Sequence, residues 1–287
     1  MKAIFPQSID GDLLNLVHLS NGFRMLDGAS PLHVGDVVTT EAKIASVINT
    51  DAGKVVKVVG NIIHEGEPVI EVTSSFLYRG RFTDYENTFE IVQEPDYVVE
   101  YPTDASIGVL LSKEWFELRD QSKPLTAGTS LIFRLKSEIT FKNKVSYHSI
   151  TVSGDVFVRD KINRLVKVGY VDFEQEDCHG NPVVTYVQRH GTAEGTVTYL
   201  PNDGYTMTNL ATTTFNSPFS NQCYSNISKD FNPIHVNPYF SNFASLPGTI
   251  THGMWTSAAS RKYLESVVAK GRPERVKSYV GFFFPFV

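Results

Sequence analysis

The sequence has little cysteine and no excess of positive charge. Cys178 and Cys223 are the only cysteines in 287 residues, too few for a disulfide framework or a cysteine-based metal site. The 26 Lys and Arg are scattered among 31 Asp and Glu, so the formal net charge is -5 and no basic stripe faces a phosphate backbone. These absences exclude a disulfide-stapled scaffold and make nucleic acid an unexpected partner.

Long apolar runs and targeting signals are also missing. No run of about 18 apolar residues offers a membrane span. The N-terminal apolar patch ends at Pro6, which is too short for the core of a signal peptide, and the C-terminal residues Phe286 and Val287 form no peroxisomal address. We therefore expect a cytoplasmic protein in a reducing compartment, with no membrane partner.

The first two thirds of the chain are typical of sheet, preceded by one helix. In residues 10–26 the residues at helical spacing are Leu13, Leu16, Val17 and Leu19 or Ser20, and Asp10 is a candidate N-cap, which predicts a helix. A series of β-rich segments then predicts strands over 37–48, 54–66, 67–82, 130–141, 146–158 and 164–173. A tight turn is expected at residues 64–67, and one short helix at 112–118.

The last third of the sequence differs from the rest in composition and in the spacing of its apolar residues. Residues 192–220 are rich in Thr, Asn, Gly, Ser and Pro and are predicted to be a linker. The apolar spacing of residues 238–245 and 251–270 predicts helices, the second ended by Gly271 and Pro273. Six residues are predicted to line the buried face of that second helix: Trp255, Ala258, Ala259, Tyr263, Leu264 and Val267.

Chemically useful side chains concentrate between residues 228 and 254. Pro233 prevents a continuous helix there, so Asp230 and His235 are expected to be presented from a turn. A carboxylate beside an imidazole orients the ring and tunes its pKa, as general acid/base catalysis requires. Gly253, at the predicted start of a helix, would offer a backbone N–H to a developing oxyanion.

Simpler interpretations exist for each group. Asp230 and Asn232 could form an Asx turn that caps the next helix, with His235 as a structural histidine. A zinc site formed by His235, His252 and an acid lacks the usual ligand spacing. Ser228 and Ser257 lie in no nucleophile elbow and are expected to be structural. The segment 179–182 is predicted to be a turn between sheet segments.

Two motifs carry a family resemblance. Asp230-x-Asn232-Pro233-Ile234-His235, with LPGTITHGM at 246–254, resembles the signature of MaoC-type (R)-specific hydratases and dehydratases. Segments along the chain up to about Tyr279 resemble the dehydratase region of the fungal fatty acid synthase β subunit: MKAIFP, DGDLLNLVHLSNGF, VTSSFLYRGRFTDYENTF, SKEWFEL, EITFKN and HGNPVV.

The resemblance implies an α+β protein built from hot-dog folds, in which a long helix is wrapped by antiparallel sheet. The implied layout is an N-terminal hot-dog-like half (1–100), a β-rich intervening segment (101–191), a linker (192–220) and a MaoC-like half (221–287). Since a hot dog takes most of its sheet from sequence after the helix, this last half is expected to be incomplete.

The resemblance also implies a (3R)-hydroxyacyl-thioester dehydratase that can run in reverse as an enoyl hydratase, with no metal or other cofactor. Asp230, His235 and Gly253 match the catalytic positions, and Asn232, His252 and Thr251 are expected to contact substrate. The expected partners are an acyl thioester on acyl carrier protein or coenzyme A and other fatty acid synthase domains or subunits, within a larger assembly. Lys229 stands where the family usually has glycine, so an inactive acyl-binding or assembly module is the alternative.

Overall fold

The protein folds into two compact units. The computed structural model describes residues 9, 11–12, 15–194 and 216–283. One unit comprises Met1–Thr83 together with Thr208–Val287, and the other comprises Asp84–Met207. Most of the predicted linker lies outside the described residues.

The first unit begins with an antiparallel meander. Its four strands are β1 Leu16–Met25, β2 Val38–Asn49, β3 Gly53–His64 and β4 Glu67–Arg79. Strand β4 pairs with both β1 and β3, and β2 pairs with β3. In the β3–β4 turn both Glu65 (φ 52°) and Gly66 (φ 86°) have positive φ, as the tightest hairpins require. The three strands and the turn predicted here are confirmed.

The predicted N-terminal helix is wrong, because residues 16–25 form β1. Leu16 and Val17 are buried as neighbours, and so are Asn21 and Gly22, which does not follow the spacing of a helix face. The strand makes ladder hydrogen bonds on both sides, and the Asn21 amide donates to Ser74 Oγ at 2.6 Å. Pairing with two neighbours therefore outweighed the local apolar spacing.

The second unit is mostly sheet. In chain order its elements are β5 Phe89–Gln93, β6 Asp96–Tyr101, α1 Asp104–Leu111, β7 Phe116–Leu118, β8 Thr129–Phe141, β9 Tyr147–Arg159, β10 Leu165–Cys178, α2 Pro182–His190 and β11 Gly191–Glu194. Its antiparallel pairs give the order β5-β8-β9-β10-β7, and β6 pairs with β8 and β11. A Cβ at Gly154 of β9 would lie 2.1 Å from the Arg134 carbonyl oxygen of β8, so only glycine fits at this point of the β8–β9 pair.

The core of the second unit holds fully buried Leu131, Phe133 and Val152, and α2 packs Val183 and Val187 into it. The sequence predicted the three long strands, but it misplaced one helix and missed the other. The expected helix at 112–118 is instead the loop and strand β7, with α1 preceding it. The predicted turn at 179–182 leads directly into α2, which was not expected.

The C-terminal part of the first unit is helical. It contains α3 Gln222–Ser228, α4 Pro233–Val236, α5 Pro238–Phe243, α6 Gly253–Tyr263, a π-helical turn Leu264–Val268, a 3-10 turn Pro273–Arg275 and β12 Ser278–Phe282. Strand β12 pairs antiparallel with β1, and α6 lies against β1. The chain's N-terminal and C-terminal segments therefore share one sheet.

The helix predicted over 251–270 is present as α6 and the π-helical turn, but its predicted buried face is wrong. Ser257 is the buried residue of α6, whereas Ala258 and Val267 are exposed and Trp255 and Tyr263 are half-buried. Fewer residues of α6 are buried than the spacing of its apolar residues predicted. The predicted helix over 238–245 is confirmed by α5.

The observed units also differ from the predicted layout. Strands β5 and β6 pair with β8 and so belong to the second unit, although residues 1–100 were predicted to form one half. Antiparallel sheet with short helices confirms the predicted α+β class. Among the residues described, no helix is both long and apolar enough to cross a membrane.

Candidate active site

The turn between α3 and α4 presents the candidate carboxylate. Helix α3 ends at Lys229, whose left-handed backbone (φ 61°, ψ 17°) reverses the chain. Asp230 follows it, and its Oδ1 accepts a hydrogen bond from the Asn232 backbone N–H at 3.1 Å. The backbone N–H of Asp230 in turn donates to Ser228 Oγ at 3.2 Å. Asp230 is thus fixed in a turn, as the sequence predicted, with its side chain half exposed.

The next residues place the candidate histidine. Asn232 caps α4, because its side-chain oxygen accepts from the Ile234 N–H at 3.3 Å, and Pro233 occupies the first turn. His235 therefore projects from a one-turn helix, not from the turn itself as predicted. The Asx turn and cap considered as a structural alternative are present, and they hold Asp230 and His235 close together.

A hydrogen bond defines the state of the His235 ring. Nδ1 lies 2.8 Å from the Ile250 carbonyl oxygen, which can only accept, so Nδ1 carries the proton and Nε2 of the neutral ring carries the lone pair. Burial lowers the pKa of His235 below its ordinary 6.5, and this effect outweighs the opposing hydrogen bond to Ile250. The ring is therefore neutral at neutral pH and has the lone pair that a general base needs.

His252 packs against the ring of His235. It is 1% exposed, and its ring stacks on that of His235 with centroids 3.9 Å apart. Its Nε2 lies 3.1 Å from the Asp230 carbonyl and 3.3 Å from Ser225 Oγ, and 3.9 Å from Asp230 Oδ2. The contact with the carbonyl makes Nε2 a donor. His252 thus ties the backbone of Asp230 to the ring of His235, and its burial favours a positioning role over substrate contact.

Asn221 is a site residue that sequence reasoning missed. Its buried side-chain amide donates to the carbonyls of His235 and Ile250, at 2.9 and 3.0 Å. One amide group therefore joins α4, through His235, to the segment that leads into α6, through Ile250, by two hydrogen bonds. The only sequence signal was an Asn directly after the predicted linker, and neither a motif nor a spacing marked it.

The start of α6 supplies the third candidate group. His252 is the N-cap residue and Gly253 begins the helix, where backbone N–H groups and the helix dipole favour negative charge. A Cβ at Gly253 would lie 3.2 Å from the Phe283 ring, so the absence of a side chain lets that ring approach closely. Thr251 is half-buried and lies in sequence between Ile250, whose carbonyl accepts from His235, and His252.

Asp230, His235 and His252 also meet a geometric criterion for metal binding, since one ligand atom of each lies within 4.8 Å of the others. Two ring nitrogens, Nδ1 of His235 and Nε2 of His252, donate to carbonyls and so cannot act as ligands. The two rings are stacked 26° from parallel, which directs their remaining lone pairs poorly toward a single ion. We interpret the cluster as acid/base groups.

Three models of protein families match parts of the chain. A model of the MaoC like domain matches residues 196–286. A model of the FAS1-like dehydratase domain region matches residues 1–72, and one of the fatty acid synthase subunit beta insertion domain matches residues 89–187. A solved structure described as a MaoC-like dehydratase has 14% identity and a TM-score of 0.48, covering 99% of this chain and 63% of that one.

Curated relatives are more similar in sequence. The fatty acid synthase subunits beta of Saccharomyces cerevisiae and Schizosaccharomyces pombe are each 46% identical over 97% of this chain. The fatty acid synthase beta subunit TOXC of Cochliobolus carbonum is 37% identical over 99%. The chain spans only 13% to 14% of the length of these relatives.

The fold and the family match define a domain of the MaoC-like, hot-dog class, in which a sheet packs against α6. The chain contains the dehydratase region found in fatty acid synthase beta subunits, and its second compact unit corresponds to their insertion domain. The predicted family and fold class are confirmed.

Proposed function

We propose that the site removes water from a (3R)-3-hydroxyacyl thioester to give a trans-2-enoyl thioester, and catalyses the reverse hydration. The observation that carries the proposal is a His235 ring that donates through Nδ1 and so has its lone pair on Nε2, with one ring nitrogen within 4.8 Å of a carboxylate oxygen of Asp230. Family membership supports the same chemistry at these residues.

The reaction assigns a task to each group. Nε2 of His235 takes the proton from C2, the C–H electron pair forms the C2–C3 double bond, and the C3–O bond breaks. The departing hydroxyl takes a proton from the Asp230–His235 pair and leaves as water, which restores the pair. The backbone N–H at Gly253 stabilises the enolate-like oxygen of the thioester, and Asn232 and Thr251 line the approach.

The carrier of the acyl group is acyl carrier protein or coenzyme A, and the natural setting is a larger assembly with other fatty acid synthase domains or subunits. The relatives are long subunits of which this chain covers a small part, which supports such a setting. No step of the proposed reaction requires a redox group or a metal ion.

A dehydration assay tests the proposal. A (3R)-3-hydroxyacyl thioester is incubated with this chain and followed at the enoyl absorbance, in parallel with Asp230→Asn and His235→Ala. We expect turnover by the parent and a loss of about 100-fold or more in each variant, because each removes half of the acid/base pair.

Matched controls come from the same unit. Asp27→Asn and His33→Ala change an exposed carboxylate and an exposed histidine outside the site and should leave the rate unchanged. Circular dichroism checks that every variant folds. A folded parent without turnover would overturn the proposal and favour the alternative of an inactive acyl-binding or assembly module.

A further inference from the structure

Arg79, the last residue of β4, hydrogen-bonds to a helix that lies much later in the chain. Its Nη2 donates to the Ala244 carbonyl at the end of α5, 165 residues away in sequence, at 2.8 Å. Its Nε donates to the carbonyl of Asn15, the residue before β1, at 3.4 Å. One guanidinium group therefore joins the N-terminal meander of the first unit to the end of α5.

The way in which α5 ends explains why a donor is needed at this carbonyl. Ser245 has a positive φ of 58°, and the N–H groups of Ser245 and Leu246 donate to carbonyls within the helix at 2.9 and 3.0 Å. These two bonds do not reach the carbonyl of Ala244, which is 4% exposed. A buried carbonyl without a donor is destabilising, and Arg79 supplies the donor from the other end of the unit.

The segment 244–252 begins at that carbonyl and ends in the candidate site. Within it, the Gly248 carbonyl accepts a hydrogen bond from the hydroxyl of Ser241, a fully buried residue of α5. Further along, the Ile250 carbonyl accepts from His235 Nδ1 at 2.8 Å and so leaves the lone pair on Nε2. A displacement at the first residue of this segment therefore moves the carbonyl that sets the protonation of the ring.

We propose that Arg79 is a positioning residue, which fixes the place of the Ile250 carbonyl by holding Ala244 beside the end of β4. The Ile250 carbonyl in turn keeps the proton of His235 on Nδ1. Arginine suits this role because its planar guanidinium donates in two directions from one rigid group, whereas lysine offers a compact ammonium on a flexible stem. The consequence for catalysis rests on the function proposed above, since that reaction uses the lone pair on Nε2 of His235.

Nitrogen NMR of the histidine rings tests this role without turnover. The chain is labelled with ¹⁵N-histidine and measured at about pH 8, where an ordinary imidazole is neutral, and the His235 signals are assigned from their loss in His235→Ala. We expect a single tautomer of His235 in the parent, with the proton on Nδ1, and a mixture of tautomers in Arg79→Ala. Arg79→Lys, which keeps the charge but not the planar group, should lie between the two.

Rates give a second measurement. Arg79→Ala should lower kcat for dehydration roughly 10-fold and change KM less than about 3-fold, because it misplaces the acid/base group and not the bound acyl chain. Guanidinium chloride, at a concentration that does not unfold the chain, should restore part of the rate of Arg79→Ala by donating to the same carbonyl. Sodium chloride at the same concentration should restore none.

Arg24 offers a matched control, because it lies on β1 of the same sheet and pairs with Glu71 at 3.1 Å. Arg24→Ala should leave both the tautomer of His235 and kcat unchanged. The parent's single tautomer persisting in Arg79→Ala, or an equal change in Arg24→Ala, would overturn the role of Arg79.

The same measurements separate this role from the proposed reaction. A change of tautomer in Arg79→Ala, in a chain that does not turn over substrate, would overturn the reaction and leave the positioning role standing. Circular dichroism checks folding. If Arg79→Ala does not fold, Arg79→Lys carries the test, and a single Nδ1-protonated tautomer with unchanged kcat in that variant would overturn the role of Arg79.

Discussion

At the scale of single residues, the site depends on which ring nitrogens are protonated. Two carbonyl oxygens, those of Ile250 and Asp230, each accept from one imidazole and so fix both tautomers. His235 is left with a free lone pair, and the buried His252 holds its ring in place by stacking. The positions of these two backbone carbonyls therefore determine which ring nitrogen of each histidine carries the lone pair.

The lowered pKa of His235 predicts the acid limb of the pH profile. Because the neutral ring is the active form, kcat/KM should fall only as the pH drops through a value below 6.5. The free energy of unfolding should also decrease below about pH 6.5, since the unfolded chain binds the proton more readily there than the folded chain does. Rates measured between about pH 5 and 8 check this prediction, and an acid limb centred at or above 6.5 would contradict it.

The sequence was informative about some residues of the site and silent about others. Asp230 and His235 were found because they stand in a short contiguous motif whose chemistry is local. Asn221 lies 14 residues before His235 in sequence, and only the folded chain brings its amide to the carbonyls of His235 and Ile250. Its role follows from the packing of these segments, which no spacing in the sequence encodes.

At the scale of elements, β-rich composition and turn residues were a better guide than apolar spacing alone. Strands β3 and β4 meet at a tight turn with Gly66, so these strands and the turn between them could be predicted. β1 was mistaken for a helix, because its partners lie far away in sequence and the nearest pair, Met25 with Ile70, is 45 residues apart. The helix at α6 was predicted correctly. Which of its residues are buried depends on where α6 contacts β1, and the sequence does not show this.

The end of α3 gives a prediction about stability. Lys229 is held at φ 61°, in the left-handed region that costs a residue with a Cβ about 1 kcal/mol relative to glycine. We expect Lys229→Gly to raise the free energy of unfolding by roughly that amount, measured by urea denaturation. Lys229→Ala removes the charge but keeps the Cβ, so it serves as the control and should give no such gain. An equal gain from both variants would show that charge is responsible, not backbone conformation.

At the scale of the whole molecule, the candidate site belongs to one unit. The meander β1–β4 and the C-terminal helices come from opposite ends of the chain, and β12 pairs with β1 to join them. Asp230, His235 and Gly253 lie on the C-terminal segment, and α6, which begins at Gly253, lies against β1 of the N-terminal segment. The N-terminal strands therefore support the helix whose start carries the proposed oxyanion donor.

The second unit, Asp84–Met207, has its own core and holds none of the proposed site residues. Its core is continuous and fully buried around Leu131, Phe133 and Val152, and the site residues proposed above all lie outside it. It matches the insertion domain of fatty acid synthase beta subunits. The reaction that we propose is therefore carried by the first unit.

Hydration in deuterated water tests that claim most directly. A trans-2-enoyl thioester is incubated with this chain in D₂O, and the product is followed by proton NMR. We predict a 3-hydroxyacyl thioester with one deuterium at C2 and the R configuration at C3, and none of this product when Asp230→Asn and His235→Ala are combined. An unchanged enoyl thioester in the presence of the folded parent, or equal product from parent and double variant, would contradict the assignment of this pair as the hydratase and dehydratase machinery.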